Sequence, residues 1–149
     1  MSYDTVEEST LVLIRDNVAG YSATNISRGD YRILAGGVEK AIILVPGPIR
    51  SRQVVAAQRY LSTVWVVDIE LYIPWHDDLA SIADKVVKFR QEVIDLIDQY
   101  PRIDSSSGVL LSLITAAGRP TIRAGEGRNW WIQTLDFEVT ERVDIVVAE

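Results

Sequence analysis

The topology of this chain is dictated by the segment VWVVDIELYI at residues 64–73, in which apolar side chains recur at every second position from Trp65 to Ile73. One side of an extended strand would carry Trp65, Val67, Ile69, Leu71 and Ile73, and the other Val66, Asp68, Glu70 and Tyr72. The first side is typical of a core, and the second of a surface that is partly wet or meets a polar neighbour. The segment WWIQTLDFEV at 130–139 alternates in the same way. We therefore predict two long strands of one sheet.

Shorter apolar runs predict the other strands. We expect a strand at 41–45 that is ended by Pro46-Gly47-Pro48, and another at 54–60 that turns into the 64–73 strand near Ser62-Thr63. The stretch 109–124 reads as a strand interrupted at Gly118, Gly125-Glu126-Gly127 as a hairpin turn, and 143–147 as an extension of the last strand. Because short connections join most neighbours, we expect mainly antiparallel pairing.

Apolar residues at helical spacing predict two helices. The first is capped by Asp4 or Thr5 and ends at Gly20, and the second begins at His76-Asp77-Asp78 and ends at Tyr100-Pro101. Their stripes consist of Val6, Leu11, Ile14 and Val18, and of Leu79, Ile82, Val86, Phe89, Val93 and Leu96 or Ile97. The prediction is an α+β fold with an antiparallel/mixed β-sheet and two helices packed on one face, as a single domain over residues 1–149. Val66, Tyr72 and Ile132 would then leave the opposite face too apolar for water, which suggests a partner surface.

Composition restricts the chemistry. The chain has no cysteine and one histidine, so disulfides, thiolate metal sites and histidine-based triads lack raw material. A formal net charge of −6 disfavours tight binding of DNA. No apolar run is long enough to span a bilayer, and the acidic N-terminus is unlike a targeting signal. We expect a non-enzymatic protein with no cofactor and no metal site.

Two groups of residues nevertheless have the composition of a metal-binding or catalytic site. His76-Asp77-Asp78 has the composition of a metal site or a general base, but the pattern favours a helix N-terminus. Asp68 with Glu70 and Asp136 with Glu138 place paired carboxylates on strand faces, where they would hold a divalent cation in a small metal-dependent hydrolase. The alternation favours the polar face of a half-buried sheet instead.

Arginines and tryptophans cluster around the glycine turn. Arg119, Arg123 and Arg128 lie close in sequence to Trp130 and Trp131. Such groupings form interface hot spots or stack on nucleic-acid bases, and a solvated loop beside core tryptophans explains them equally well. Trp130 and Trp131 point to opposite faces of their strand, so one of them is expected outside the core.

The order and spacing of these segments resemble the tail-terminator (tail-completion) proteins of long-tailed bacteriophages. The resemblance runs from the first helix to Glu141 and rests on Ala41 to Pro46, on the strand 65–73, on the long helix through Ile82 and Val93, and on 130–139. It implies a homo-oligomeric ring, expected to be hexameric, that caps the tail tube, ends its polymerisation and joins it to the head connector. DNA would pass through the ring without specific binding, in a virion assembled in the host cytoplasm.

Within this hypothesis we expect Trp75, Arg119, Arg123, Arg128 and Trp130 at contacts with the tail-tube protein, the connector or neighbouring subunits. Other phage neck or tail ring proteins share related plans and remain an alternative. A regulatory domain that binds a small molecule in its sheet is a third hypothesis.

Overall fold

Two long central strands organise the sheet. The computed structural model describes residues 3–17, 25–36, 40–55, 60–75, 79–100, 109–125 and 127–144. The strands are β1 (Ile26–Arg28), β2 (Ala41–Val55), β3 (Tyr60–Pro74), β4 (Val109–Ala117), β5 (Thr121–Gly125) and β6 (Arg128–Asp144). Their order is β1-β2-β3-β6-β4, and β5 also pairs with β6. β1 is parallel to β2 and the other pairs are antiparallel, which confirms the predicted mixed sheet.

Helices α1 (Tyr3–Asn17) and α2 (Leu79–Asp98) cover one face of this sheet. The main core forms where their apolar stripes meet the predicted inner face of β3. It contains Val6, Ile14, Ile42, Leu44, Val67, Ile69, Leu71, Ile82, Val86, Phe89, Val93, Leu135 and Phe137, among others. The α+β prediction is therefore confirmed. Neither described helix is long and apolar enough to cross a membrane.

A second, smaller core lies on the opposite face of the sheet. A 3₁₀ helix (Tyr31–Gly36) supplies Leu34, which packs with Ala41, Ile43, Tyr72, Trp130 and Ile132. Tyr72 is 1% exposed and Ile132 is 2% exposed. The expectation that these side chains need a partner protein is wrong, because the chain covers them with its own 3₁₀ helix.

The strand ends differ from the prediction in two places. Pro46-Gly47-Pro48 does not end β2, which continues to Val55 with register shifts around these residues. Since β1 pairs only with residues 42–44, the prolines lie where β2 has become the edge of the sheet, and edge strands and bulges tolerate proline. Ser62 and Thr63 lie within β3 instead of forming a turn, and Thr63 is buried and pairs with Arg52 and Glu141.

The other strand predictions around β6 are confirmed. β4 and β5 occupy successive stretches beside β6, and Gly118 lies in the gap between them. Gly125 pairs with Arg128, and Gly127 has a φ of 81°, a left-handed conformation that glycine adopts freely. β6 extends to Asp144. The predicted helix start at His76-Asp77-Asp78, the helix end at Gly20 and the extension beyond Asp144 lie outside the described residues.

Candidate interaction surfaces

The four strand carboxylates proposed as a metal site lie on the same face of the sheet. Asp68 on β3 is directly opposite Asp136 on β6, and Glu70 and Glu138 flank this pair along their strands. The structure thus brings the residues near one another, as the alternation predicts. They nevertheless divide into two groups with different partners.

The first group surrounds Glu70 and closes the second core. One Glu70 oxygen, Oε1, accepts hydrogen bonds from the hydroxyls of Tyr31 and Tyr72, each at 2.9 Å. Arg123 donates to the Tyr72 hydroxyl at 3.1 Å and lies 3.7 Å from Oε2 of Glu70. Burial, together with the Glu70 carboxylate, raises the pKa of both tyrosines, so the hydroxyls remain donors at neutral pH. One oxygen of Glu70 therefore accepts hydrogen bonds from both tyrosine hydroxyls.

The second group is built around Arg50. Its Nε lies 2.7 Å from Glu138, and its Nη2 lies 3.8 Å from Asp136. Arg50 is on β2 just past the prolines, so it reaches this face only because the strand continues through them. Burial raises the pKa of Asp68 to about 6, and the neighbouring Asp136 and Glu70 carboxylates contribute further.

Among the described residues, no three or more histidine, aspartate or glutamate side chains are placed so that they would hold a metal ion. Glu70 instead accepts a hydrogen bond from the Tyr31 hydroxyl, and Glu138 forms an ion pair with Arg50 of the same chain. Glu70, Asp136 and Glu138 thus have partners within the chain, and the four carboxylates form a polar layer beside the second core.

The five predicted contact residues fall into different environments. Trp130 is 0% exposed and packs edge-on against Tyr72, with ring centroids 6.2 Å apart. Its indole therefore offers no surface to a partner, which corrects the expectation that Trp130 lies at a subunit contact. Trp131, on the opposite face of β6, is half-buried against the main core. Both tryptophans thus pack within the chain, because the sheet has a core on each face.

The three predicted arginines lie at the surface of the protein. The Arg128 guanidinium stacks over the Trp130 ring at 4.8 Å from its centroid, and Arg123 is tied to Tyr72 and Glu70. Arg119 is exposed in the gap between β4 and β5. Trp75 is half-buried against the main core, and its backbone N–H donates to the Asn129 carbonyl at 3.0 Å. It remains a prediction that these three arginines and Trp75 contact a partner or a neighbouring subunit.

An apolar groove between α2 and the start of β6 escaped the sequence analysis. It has a volume of about 370 Å³ and is lined by Ile82, Ala83, Val86, Val87, Arg90, Pro120 and Trp131. Val87 is 49% exposed. Ile122 on β5 lies on the same side of the sheet as Trp131 and is 54% exposed. Val87 lies one position beside the predicted stripe of α2, and this widened apolar face was the available signal in the sequence.

A further apolar group lies on the outer part of β2, beyond the prolines. Ile49 is 52% exposed and Val54 is 63% exposed. The register places both on the helix-bearing face, since they pair with Trp65 and Leu61. Leu111, on the edge strand β4, is 44% exposed. The described surface therefore carries apolar side chains at separate places, not in one patch.

Comparison with known protein families finds no family model that matches the chain, and comparison with curated proteins finds no match.

Proposed function

We propose that this protein is a structural subunit of a homo-oligomeric ring that caps a bacteriophage tail tube, ends its polymerisation and joins it to the head connector. The proposal rests on the order and spacing of the elements described above, α1, the β2–β3 pair, α2 and the long β6. In this role the chain works by contact, without catalysis. It would act in the virion neck after assembly in the host cytoplasm.

The separation of the exposed apolar side chains is the observation that carries the proposal. Val87 lines the groove and Ile122 pairs with its Trp131, whereas Ile49 and Val54 lie on the outer half of β2. A surface that joins one patch to a different patch on the next copy makes a head-to-tail contact, and such contacts form a cyclic ring when the rotation between copies closes. Exposed apolar groups of this kind mark protein interaction sites.

The net negative charge of the chain is compatible with a ring through which DNA passes. The net charge of −6 opposes tight binding of a polyanion, so DNA would pass without being held. Arg123 and Arg128 lie in the β5–β6 hairpin and Arg119 lies in the gap before β5, and these arginines would meet an acidic surface of a neighbouring subunit, the tube or the connector.

Arrest of tube growth tests the proposal. Tail-tube protein is polymerised with and without the purified chain, and tube lengths are measured by negative-stain electron microscopy. We expect substoichiometric amounts of the chain to shorten the tubes and to stop their growth. Val87→Glu, which places a charge beside the groove, should weaken this effect, and Lys85→Glu, on the same helix outside the groove, should preserve it. Unchanged tube lengths at saturating protein would contradict the proposal.

A further inference from the structure

The groove between α2 and β6 contains polar donors that the described residues leave without acceptors. Trp131 lines the groove, and its indole N–H is buried and has no hydrogen-bond acceptor among the described residues. Arg90, also in the lining, forms no ion pair with any described carboxylate. Buried donors normally find partners. An occupant that combines apolar side chains with carbonyl and carboxylate oxygens would satisfy both groups.

The charge at the groove indicates which kind of segment would bind there. Arg90 lies in the groove, and Arg119 is exposed next to Pro120, which also lines the groove. An apolar segment flanked by acids suits this end of the molecule better than one flanked by bases. The sequence after β6, IVVAE at 145–149, is such a segment and follows directly on Asp144.

Distance requires that this segment come from another copy. Trp131 and Asp144 are at opposite ends of β6, 13 residues apart along one strand (144 − 131), which corresponds to about 43 Å. The residues Ile145 to Val147 reach at most about 10 Å beyond Asp144. A groove and a segment so far apart on one chain can meet only between chains.

From these relationships we propose that the apolar, acidic segment 145–149 of one copy docks in the α2–β6 groove of the next copy. Its aliphatic side chains pack against Ile82, Val86 and Trp131. The side-chain carboxylate of its Glu149 pairs with Arg90. The volume of about 370 Å³ is at the small end of the roughly 300–1,000 Å³ typical of ligand sites, enough for a short segment. The contact is heterologous, so repetition closes a ring or extends a filament. This inference deepens the proposed function by naming a subunit contact.

Because the chain has no cysteine, engineered pairs can test the contact in the full-length protein. Val147→Cys and Ala83→Cys are made as separate variants and mixed under mild oxidation, in solution and again with tail tubes present. We expect a mixed disulfide dimer at a yield at least tenfold above that of Val147→Cys mixed with Lys88→Cys, which lies on the outward face of the same helix. Adding Arg90→Glu to the groove variant should lower the yield at least fivefold, and adding Lys85→Glu should leave it unchanged.

Equal yields for the groove and outward-face positions, in solution and on tubes, would overturn the inference. So would an intrachain disulfide in the doubly substituted Val147→Cys, Ala83→Cys chain, since it would show contact within one copy. The wild-type tube-growth assay separates the two proposals. Tube arrest without the cross-link contradicts only the docking of 145–149, whereas the cross-link without tube arrest contradicts the proposed function.

Discussion

Asp68 and Asp136 face each other across the β3–β6 ladder, two carboxyl groups in directly opposed register on one side of the sheet. Partial burial disfavours ionisation of Asp68, and the like charge of Asp136 in this position disfavours it further. Arg50 reaches Asp136 and Glu138, but Asp68 has no ion pair with a described cation. The pKa of Asp68 is accordingly raised to about 6.

This raised pKa predicts a specific pH dependence of stability. The folded state binds the Asp68 proton more tightly than the unfolded state, whose carboxyl has the usual pKa of 3.8. The stabilisation of the folded state by this proton is therefore complete below about pH 4, and it is lost as the pH rises through about 6. Asp68→Asn should raise the free energy of unfolding by about 1 kcal/mol at pH 7.5, a value discounted for partial exposure, and by much less at pH 4.5.

Urea unfolding at the two pH values measures this difference. Asp98→Asn, at an exposed position of α2, is the control and should change stability equally at both. A gain from Asp68→Asn that is the same at pH 4.5 and 7.5 would show that the carboxyl pair does not titrate as described.

The hydroxyl of Tyr72 should contribute measurably to stability. Tyr72→Phe removes a buried donor to Glu70 and the acceptor for Arg123, so we expect a loss of about 1–3 kcal/mol. Tyr31→Phe removes the second donor at a more exposed position and should cost about 1 kcal/mol. Tyr60→Phe is the control, because its hydroxyl has no described partner, and should stay within about 0.5 kcal/mol of wild type. Chemical denaturation followed by circular dichroism distinguishes these outcomes, and equal effects of all three would dismiss the Glu70 network.

Trp130 should behave as a core residue. Trp130→Ala would empty the second core beneath the 3₁₀ helix and should cost about 3–5 kcal/mol of folding free energy. Arg128→Ala removes only the stacked guanidinium and should cost about 0.5–1 kcal/mol. Thermal melts of the isolated protein provide the comparison. A Trp130→Ala protein that melts like wild type but fails to assemble would return Trp130 to the interface.

Gly47 should not tolerate a side chain, although it lies in an edge segment. A Cβ at this position would lie 2.7 Å from the carbonyl oxygen of Val66, which is backbone and has little freedom to yield. Gly47→Ala should therefore cost about 1–3 kcal/mol. Gly118→Ala is the matched control, because its Cβ would meet the Thr134 carbonyl at an ordinary 3.6 Å. Equal stability of the two variants would mean that β2 can move away from β3 at no cost.

The periodicity of the sequence predicted the main core well. The alternation in 64–73 and 130–139 identified the residues that pack against the helices, since strand geometry alone assigns their faces. The stripe of α2 was read correctly for the same reason. Pro46 and Pro48 misled the prediction because local sequence does not show where a strand loses its neighbour, and only the short β1 reveals that edge.

The second core and the groove depend on contacts that no local pattern encodes. Leu34 covers Tyr72 and Trp130 although it is far from both in sequence. No local pattern around Leu34 indicates that it packs against them. Arg50 and Tyr31 likewise reach the strand carboxylates from β2 and from the 3₁₀ helix. The sequence alone identifies the acids and the tryptophans but not the residues that contact them.

Imaging of tail tubes incubated with the purified chain tests the ring assignment most directly. In cryo-electron micrographs, the account predicts a closed ring of this protein at one end of each tube, with the tube walls bare. Tubes with no added density at either end, or with the protein bound along their length, would contradict it.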